Sequence, residues 1–196
     1  MTYQANNYER LLGTEGFSDQ LLTNHFTLYQ GYVANTNKLA DAIAAMTKEG
    51  KTGTPEFAEL TRRFGWEFNG MRLHEHYFAN LKNGGTPINQ APQLQSLIQQ
   101  QFGSIDHWEK GFKGVGAMRG IGWTVLYYDA EAKVLANTWI QEHDAGHLAG
   151  CTPLLIMDVF EHAFMLDYGL KRADYIASFF KAIDWASVEQ RYLAAR

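Results

Sequence analysis

The sequence predicts an α+β protein: an N-terminal long antiparallel helical hairpin, then a C-terminal α/β domain with a three-stranded antiparallel sheet. Three observations predict it. Apolar residues recur at intervals of three and four over residues 19–46 and again over 55–83, with one short turn between them. The pattern then changes to short runs rich in branched and aromatic residues at 122–128, 133–139 and 153–157, which is the mark of strands. Amphipathic segments at 92–101, 104–119, 162–168 and 173–181 lie before and after those runs.

The elements follow in order. Residues 1–18 form a polar arm broken by Gly13 and Gly16. Ser18 or Asp19 caps the first helix, whose apolar face carries Leu21, Leu22, His25, Leu28, Tyr29, Tyr32, Val33, Thr36, Leu39, Ala40 and Ile43. The glycine-rich turn before Pro55 separates the two long helices, and Pro55 suits the first turn of the second. So short a connection makes the helices antiparallel neighbours. Gly84, Gly85 and Pro87 stop the second helix, and the composition shifts soon afterwards, which divides the chain into an N-terminal domain at 1–88 and a C-terminal domain at 89–196. Ser104 caps the helix over 104–119 with Asp106 in its first turn. The turn at 129–132 joins the first two strands. The run 153–157 supplies the third, and a helix begins just after Asp158. A last helix covers 184–193.

Composition excludes several classes of function. A net charge of -4 argues against nucleic acid as the main partner. No apolar run approaches the roughly 18 residues that a membrane span requires. The single cysteine, Cys151, rules out an intrachain disulfide and fits a reducing compartment. The first residues lack the basic start and apolar core of a signal peptide, so a cytoplasmic location is expected.

The chemistry is concentrated where the third strand ends. Asp158 and His162 stand four residues apart, after a run that reads as buried, and a carboxylate there is costly unless it is paired or binds a metal. Seven histidines are present, and two of them, His25 and His74, lie on the facing stripes of the two long helices. Paired helices can present one imidazole each toward a common point. His76 lies about 200° around the helix from His74 and is expected to face outward.

Asp158-Val159-Phe160-Glu161-His162-Ala163-Phe164 resembles the Asp-x-Trp-Glu-His-Ala-Tyr signature of the iron/manganese superoxide dismutases. The stretches around His25 and His74 resemble the family's two helical ligand stretches, and Gly120-Ile121-Gly122-Trp123 resembles its Gly-x-Gly-Trp. The resemblance implies an all-helical N-terminal domain and an α/β C-terminal domain with the metal between them. It implies His25, His74, Asp158 and His162 as ligands of one Fe or Mn ion per subunit. It also implies a superoxide dismutase, an enzyme that turns superoxide into O2 and H2O2 as the metal cycles between M2+ and M3+. Nitrogen and oxygen donors suit these metals, and zinc cannot cycle.

The resemblance further implies roles around the ligands. Tyr32 and His143 are the catalytic candidates, His143 as hydrogen-bond donor to solvent on the metal, because Gly70 stands where iron-type members carry a glutamine. Trp123 would wall the pocket, and Phe160 takes the place of a tryptophan. Arg172 would guide the anionic substrate. Glu161 would accept a hydrogen bond from the partner's His162 in a homodimer or tetramer. Three departures stand out. His25 and Tyr32 are seven residues apart where eight is usual, Leu73 replaces an asparagine, and Met165 replaces a tyrosine at the subunit interface. A dimeric metal-binding protein of the same fold without turnover is the alternative.

Overall fold

The computed structural model describes residues 2–196. Helix α1 (Asp19–Lys48) starts where the Ser18 hydroxyl accepts the Leu21 amide, and α2 (Pro55–Ala79) starts where Thr54 accepts that of Phe57. Each of these caps satisfies one orphan donor of the first turn. The buried residues of α1 stop at Thr36, so the far end of the hairpin projects, and Leu39, Ala40 and Ile43 are only half-buried. Helix α2 ends at Ala79, earlier than the apolar pattern predicts. The cause is tertiary: the Asn80 carbonyl accepts the Asp184 amide at 2.6 Å, and Leu81 forms a β-bridge with Ile183.

Helices α3 (Pro92–Phe102) and α4 (Ile105–Gly116) lead into the sheet. Helix α4 stops before Arg119 because the chain must turn into β1 through Gly120, whose φ of 133° suits glycine. Strands β1 (Gly122–Asp129), β2 (Val134–Gln141) and β3 (Thr152–Asp158) pair antiparallel in the order β2-β1-β3. Central β1 is buried from Gly122 through Tyr128, which explains its continuous apolar run. Its register puts Trp123 opposite Asp158. Helices on the hairpin side and the C-terminal side cover this sheet, and the core is continuous between them.

The single helix expected over 162–168 is two pieces. Phe160 is extended and Phe164 has φ -147°, so the chain makes a 3-10 turn at Glu161–Ala163 and then the one-turn helix α5 (Met165–Tyr168). Helices α6 (Arg172–Ala182) and α7 (Trp185–Ala195) close the chain.

Candidate metal centre

Four side chains meet at the seam between the hairpin and the sheet. His25 comes from α1, His74 from α2, Asp158 from the end of β3 and His162 from the 3-10 turn. One nitrogen or oxygen from each lies within 4.8 Å of all the others. Asp158 Oδ2 is 3.0 Å from His162 Nε2, 3.2 Å from His25 Nε2 and 3.6 Å from His74 Nε2. The carboxylate is placed by the backbone around it: Oδ1 accepts the Phe160 amide at 2.9 Å, and the Asp158 carbonyl accepts Tyr175 Oη at 2.6 Å. His25, His74 and Asp158 are fully buried, while the His162 ring keeps 27% of its surface open.

The donor set fits a cation. His74 Nδ1 lies 2.6 Å from the Gly70 carbonyl, which can only accept, so Nδ1 carries the ring proton. Burial holds the His74 imidazole well below its usual range, so the ring is neutral. Its Nε2 then presents a lone pair, buried and without a hydrogen-bond partner among the described residues, toward the Asp158 oxygen. Two electron-rich atoms facing one another in a dry site are unfavourable, and an ion placed between them removes that cost. Burial also lowers His25. Burial alone would raise Asp158, but the charge of His162 and hydrogen bonds from His162 and His25 overcome it and hold the carboxyl below its usual range.

Beside the cluster lies a chain of hydrogen bonds with a fixed direction. Trp123 Nε1–H can only donate, and it donates to His143 Nδ1 at 3.0 Å. His143 Nδ1 is therefore unprotonated, and Nε2 carries the proton of the neutral ring. That Nε2 is 2.8 Å from Tyr32 Oη, so His143 donates to Tyr32. Burial brings the His143 pKa down to about 4, in keeping with a ring whose protonation would leave the buried indole N–H without an acceptor. Burial likewise raises the Tyr32 phenol, and Asp158 and Glu67 add to that, so it stays protonated at neutral pH. Both nitrogens of His143 are thus engaged, and its route to solvent runs by way of the Tyr32 hydroxyl.

Helical geometry explains how Tyr32 reaches the same place as His25. Seven residues turn about 700°, nearly two full turns, so the two share a face. The Tyr32 ring stacks on His74, with centroids 5.1 Å apart. It fills the space beside Gly70, where a Cβ would fall 2.6 Å from the ring. Trp123 packs edge-on against His74 at 4.9 Å, and Phe160 stacks between His143 and His162 at 4.9 and 5.1 Å.

Other expected residues sit elsewhere. Arg172 does not reach the cluster; it donates to the Met118 and Gly120 carbonyls at 2.6 and 2.9 Å, fixing the turn that leads to Trp123. Glu161 is exposed within the single chain, beside Met165, Leu170 and Arg172, and the hydrogen bond of its own His162 goes to Asp158. His76 is half-buried instead of outward-facing: its carbonyl accepts from Arg191, and burial brings its imidazole down to about 4. Trp66 and Glu142 were not singled out in the sequence, yet they surround His143. The spacing of Trp66, Gly70 and His74, each four residues on from the last along α2, is the signal that could have found Trp66.

Fold and cluster together define a mononuclear metal-binding protein whose site is built jointly by a helical hairpin and a small antiparallel sheet. Residues 90–191 match the family model of the iron/manganese superoxide dismutases, C-terminal domain. The chain is 34% identical to superoxide dismutase [Mn] 2 of Haloferax volcanii over 177 residues, 89% of this chain and 86% of that protein. It is 34% identical to superoxide dismutase [Fe] of Saccharolobus solfataricus over 174 residues, 84% of this chain and 81% of that protein. It is 35% identical to superoxide dismutase [Fe] of Cupriavidus metallidurans over 185 residues, 92% of this chain and 90% of that protein. The chain belongs to the iron/manganese superoxide dismutase family.

Proposed function

We propose that this protein is a superoxide dismutase, with His25, His74, Asp158 and His162 holding one Fe or Mn ion per subunit. The observation that carries the reading is the orphaned, buried His74 Nε2 beside the Asp158 carboxylate, in a chain of this family. When bound, such an ion supplies one-electron chemistry between its divalent and trivalent states, by which one superoxide leaves as O2 and another as H2O2. The residues of the chain supply the rest. Two protons must reach the reduced product. Tyr32 keeps its proton because burial raises the phenol, and it accepts from His143, so its own O–H is free to point at the arriving anion. His143 is locked as a neutral donor by Trp123 and holds Tyr32 in place. Phe160 and Trp123 keep bulk water from the cluster with their rings.

Superoxide is an anion and the chain carries net charge -4, so local positive charge matters for its arrival. Arg172 serves that purpose in this reading, since carbonyl partners leave its charge uncompensated. The assembly we infer is a homodimer or a tetramer made of such dimers. Its support is the exposure of Met118, Met165, Leu166 and Leu170 at 45 to 91% around Glu161, together with a His162 Nδ1 that has no partner among the described residues. Among the described residues no helix is long and apolar enough to cross a membrane. A cytoplasmic location is part of the proposal, supported by the single unpaired cysteine.

Metal analysis of the purified protein with a superoxide-consumption assay tests the reading. One Fe or Mn per subunit with turnover is expected, and Asp158→Ala should abolish both. Metal held without turnover would refute the dismutase and leave a metal-binding protein of the same fold.

A further inference from the structure

Glu142 is one of two non-glycine residues with positive φ among the described residues, at 48°. The left-handed region is strained for an L-residue and persists only where neighbours impose it. Two neighbours hold it here: the Ile121 carbonyl, which accepts the Glu142 amide at 3.2 Å, and Trp66. Its indole N–H can only donate, and it donates to Glu142 Oε2 at 3.0 Å, tying the turn after β2 to α2. The same indole meets the His143 ring with centroids 4.5 Å apart, closer than Tyr32 or Phe160 at 4.9 Å or Trp123 at 5.8 Å. The Arg63 guanidinium covers the Trp66 ring at 3.8 Å and is itself held by Glu67 at 3.0 Å. From the surface inward the order is Arg63, Trp66, His143.

We propose that Trp66, through its bond to Glu142, is a positioning residue for His143. With the backbone bond to Ile121, it keeps residue 142 in its strained conformation. That conformation aims the next side chain inward, where one ring nitrogen meets Trp123 and the other meets Tyr32. Released from Trp66, Glu142 relaxes to negative φ, the following residue rotates, and both hydrogen bonds of His143 lengthen together. Among the described residues Trp66 packs on no ring of the four clustered residues; it meets His143 at 4.5 Å and Tyr32 at 5.6 Å, so its effect passes through that hydrogen-bonded pair. The catalytic significance of this latch rests on the dismutase reading; the latch itself is read without turnover.

The indole proton of Trp123 reports it, because its acceptor is His143 Nδ1. Trp108, fully buried with its indole bonded to Asn137 Oδ1 at 3.0 Å, serves as a remote reference. Solvent exchange of both indole protons is followed by nitrogen-15 NMR in the full-length chain freed of metal. Trp66→Phe keeps the ring and removes the N–H; Glu142→Ala removes the acceptor; Glu142→Gln keeps an acceptor oxygen. Exchange at Trp123 should rise tenfold or more in the first two, stay within twofold of the parent in the third, and stay constant at Trp108 in all. In metal-loaded protein the first two should lower kcat with little change in KM. Unchanged exchange at Trp123 in Trp66→Phe and Glu142→Ala overturns the proposal, and so does equal acceleration at Trp108, which would mark general loosening. A parent protein without superoxide turnover would instead sink the dismutase reading and leave the exchange result standing.

Discussion

One methyl group at residue 70 separates helix propensity from site packing. Gly70 lies in the middle of α2, where alanine is better than glycine by about 1 kcal/mol. A Cβ there would fall 2.6, 2.8 and 3.1 Å from three carbons of the Tyr32 ring. The ring cannot easily give way. It stacks on His74 at 5.1 Å, meets Trp66 at 5.6 Å and is bonded through its hydroxyl to His143. Overpacking of this kind costs about 1–3 kcal/mol. Gly65 lies in the same helix with nothing within 4 Å of its Cβ position, so only the propensity gain applies there. Gly65→Ala should therefore be more stable than the parent by about 0.5–1 kcal/mol. Gly70→Ala should lie about 1–3 kcal/mol below Gly65→Ala, a gap of roughly 2–12 °C in Tm for a chain of this size. Calorimetry on both variants with equal metal content reads the gap. Turnover should follow it, because a displaced Tyr32 loses its bond to His143: Gly65→Ala keeps parental kcat and Gly70→Ala loses several-fold. If the two variants match in Tm and kcat, the packing of Tyr32 against residue 70 does not constrain the site.

His143→Gln keeps an acceptor for Trp123 and a donor for Tyr32, so most turnover should survive; His143→Leu strands the Trp123 indole, which should cost about 1–3 kcal/mol and at least tenfold in kcat. Equal effects of the two in denaturant titrations and kinetics would show that the hydrogen bonds of His143 are irrelevant. Burial pushes the Tyr127 phenol up to about 12, so between pH 10 and 12 the unfolded chain has released a proton that the folded protein still holds. The associated stability is complete below pH 10 and is lost as pH rises through that window. Tyr127→Phe should show a shallower fall in urea midpoint from pH 9 to 11 than the parent, and parallel curves would refute the assignment. Glu161→Gln should weaken both self-association and metal retention, read by sedimentation and metal analysis; a variant dimeric at parental concentrations with full metal would show that Glu161 serves neither.

Periodic pattern made the hairpin and the three strands legible, because these elements carry their own hydrophobic signal. It failed where tertiary contacts override local preference. The end of α2 is set by Asn80 and Leu81 meeting the chain at residues 183 and 184, about a hundred positions away. The piece after Asp158 reads as a helix from its composition, but Phe160 must stay extended to stack between His143 and His162. His162 therefore reaches Asp158 from a 3-10 turn, although the spacing of four is that of a helix. The four clustered residues were legible through the resemblance of the stretches around His25, His74 and Asp158–His162 to the iron/manganese superoxide dismutases, with the helical stripes that carry His25 and His74 in support. Trp66 was not, since a tryptophan on a half-exposed helix face looks like ordinary packing, and its partner Glu142 lies in an irregular turn that no periodicity describes.

The pairing of Gly70 with His143 has a steric cause. Tyr32 needs a hydrogen-bond donor on its hydroxyl, and α2 and the turn after β2 both run past it. A side chain from residue 70 would have to occupy the volume of the Tyr32 ring, since even its Cβ falls inside contact distance. With the ring in that place, the donor has to come from the sheet side, and His143 supplies it at 2.8 Å. The glycine also contributes through its backbone, because its carbonyl fixes the proton of His74 on Nδ1 and turns the lone pair of Nε2 toward Asp158. Residue 70 thus acts on two sides of the site at once. By lacking a side chain it leaves room for Tyr32, and by its carbonyl it sets the tautomer that gives the cluster a free nitrogen for a cation. Any side chain at this position that moves Tyr32 leaves the tautomer of His74 as it is, so loss of turnover with metal retained is the signature that residue 70 should give.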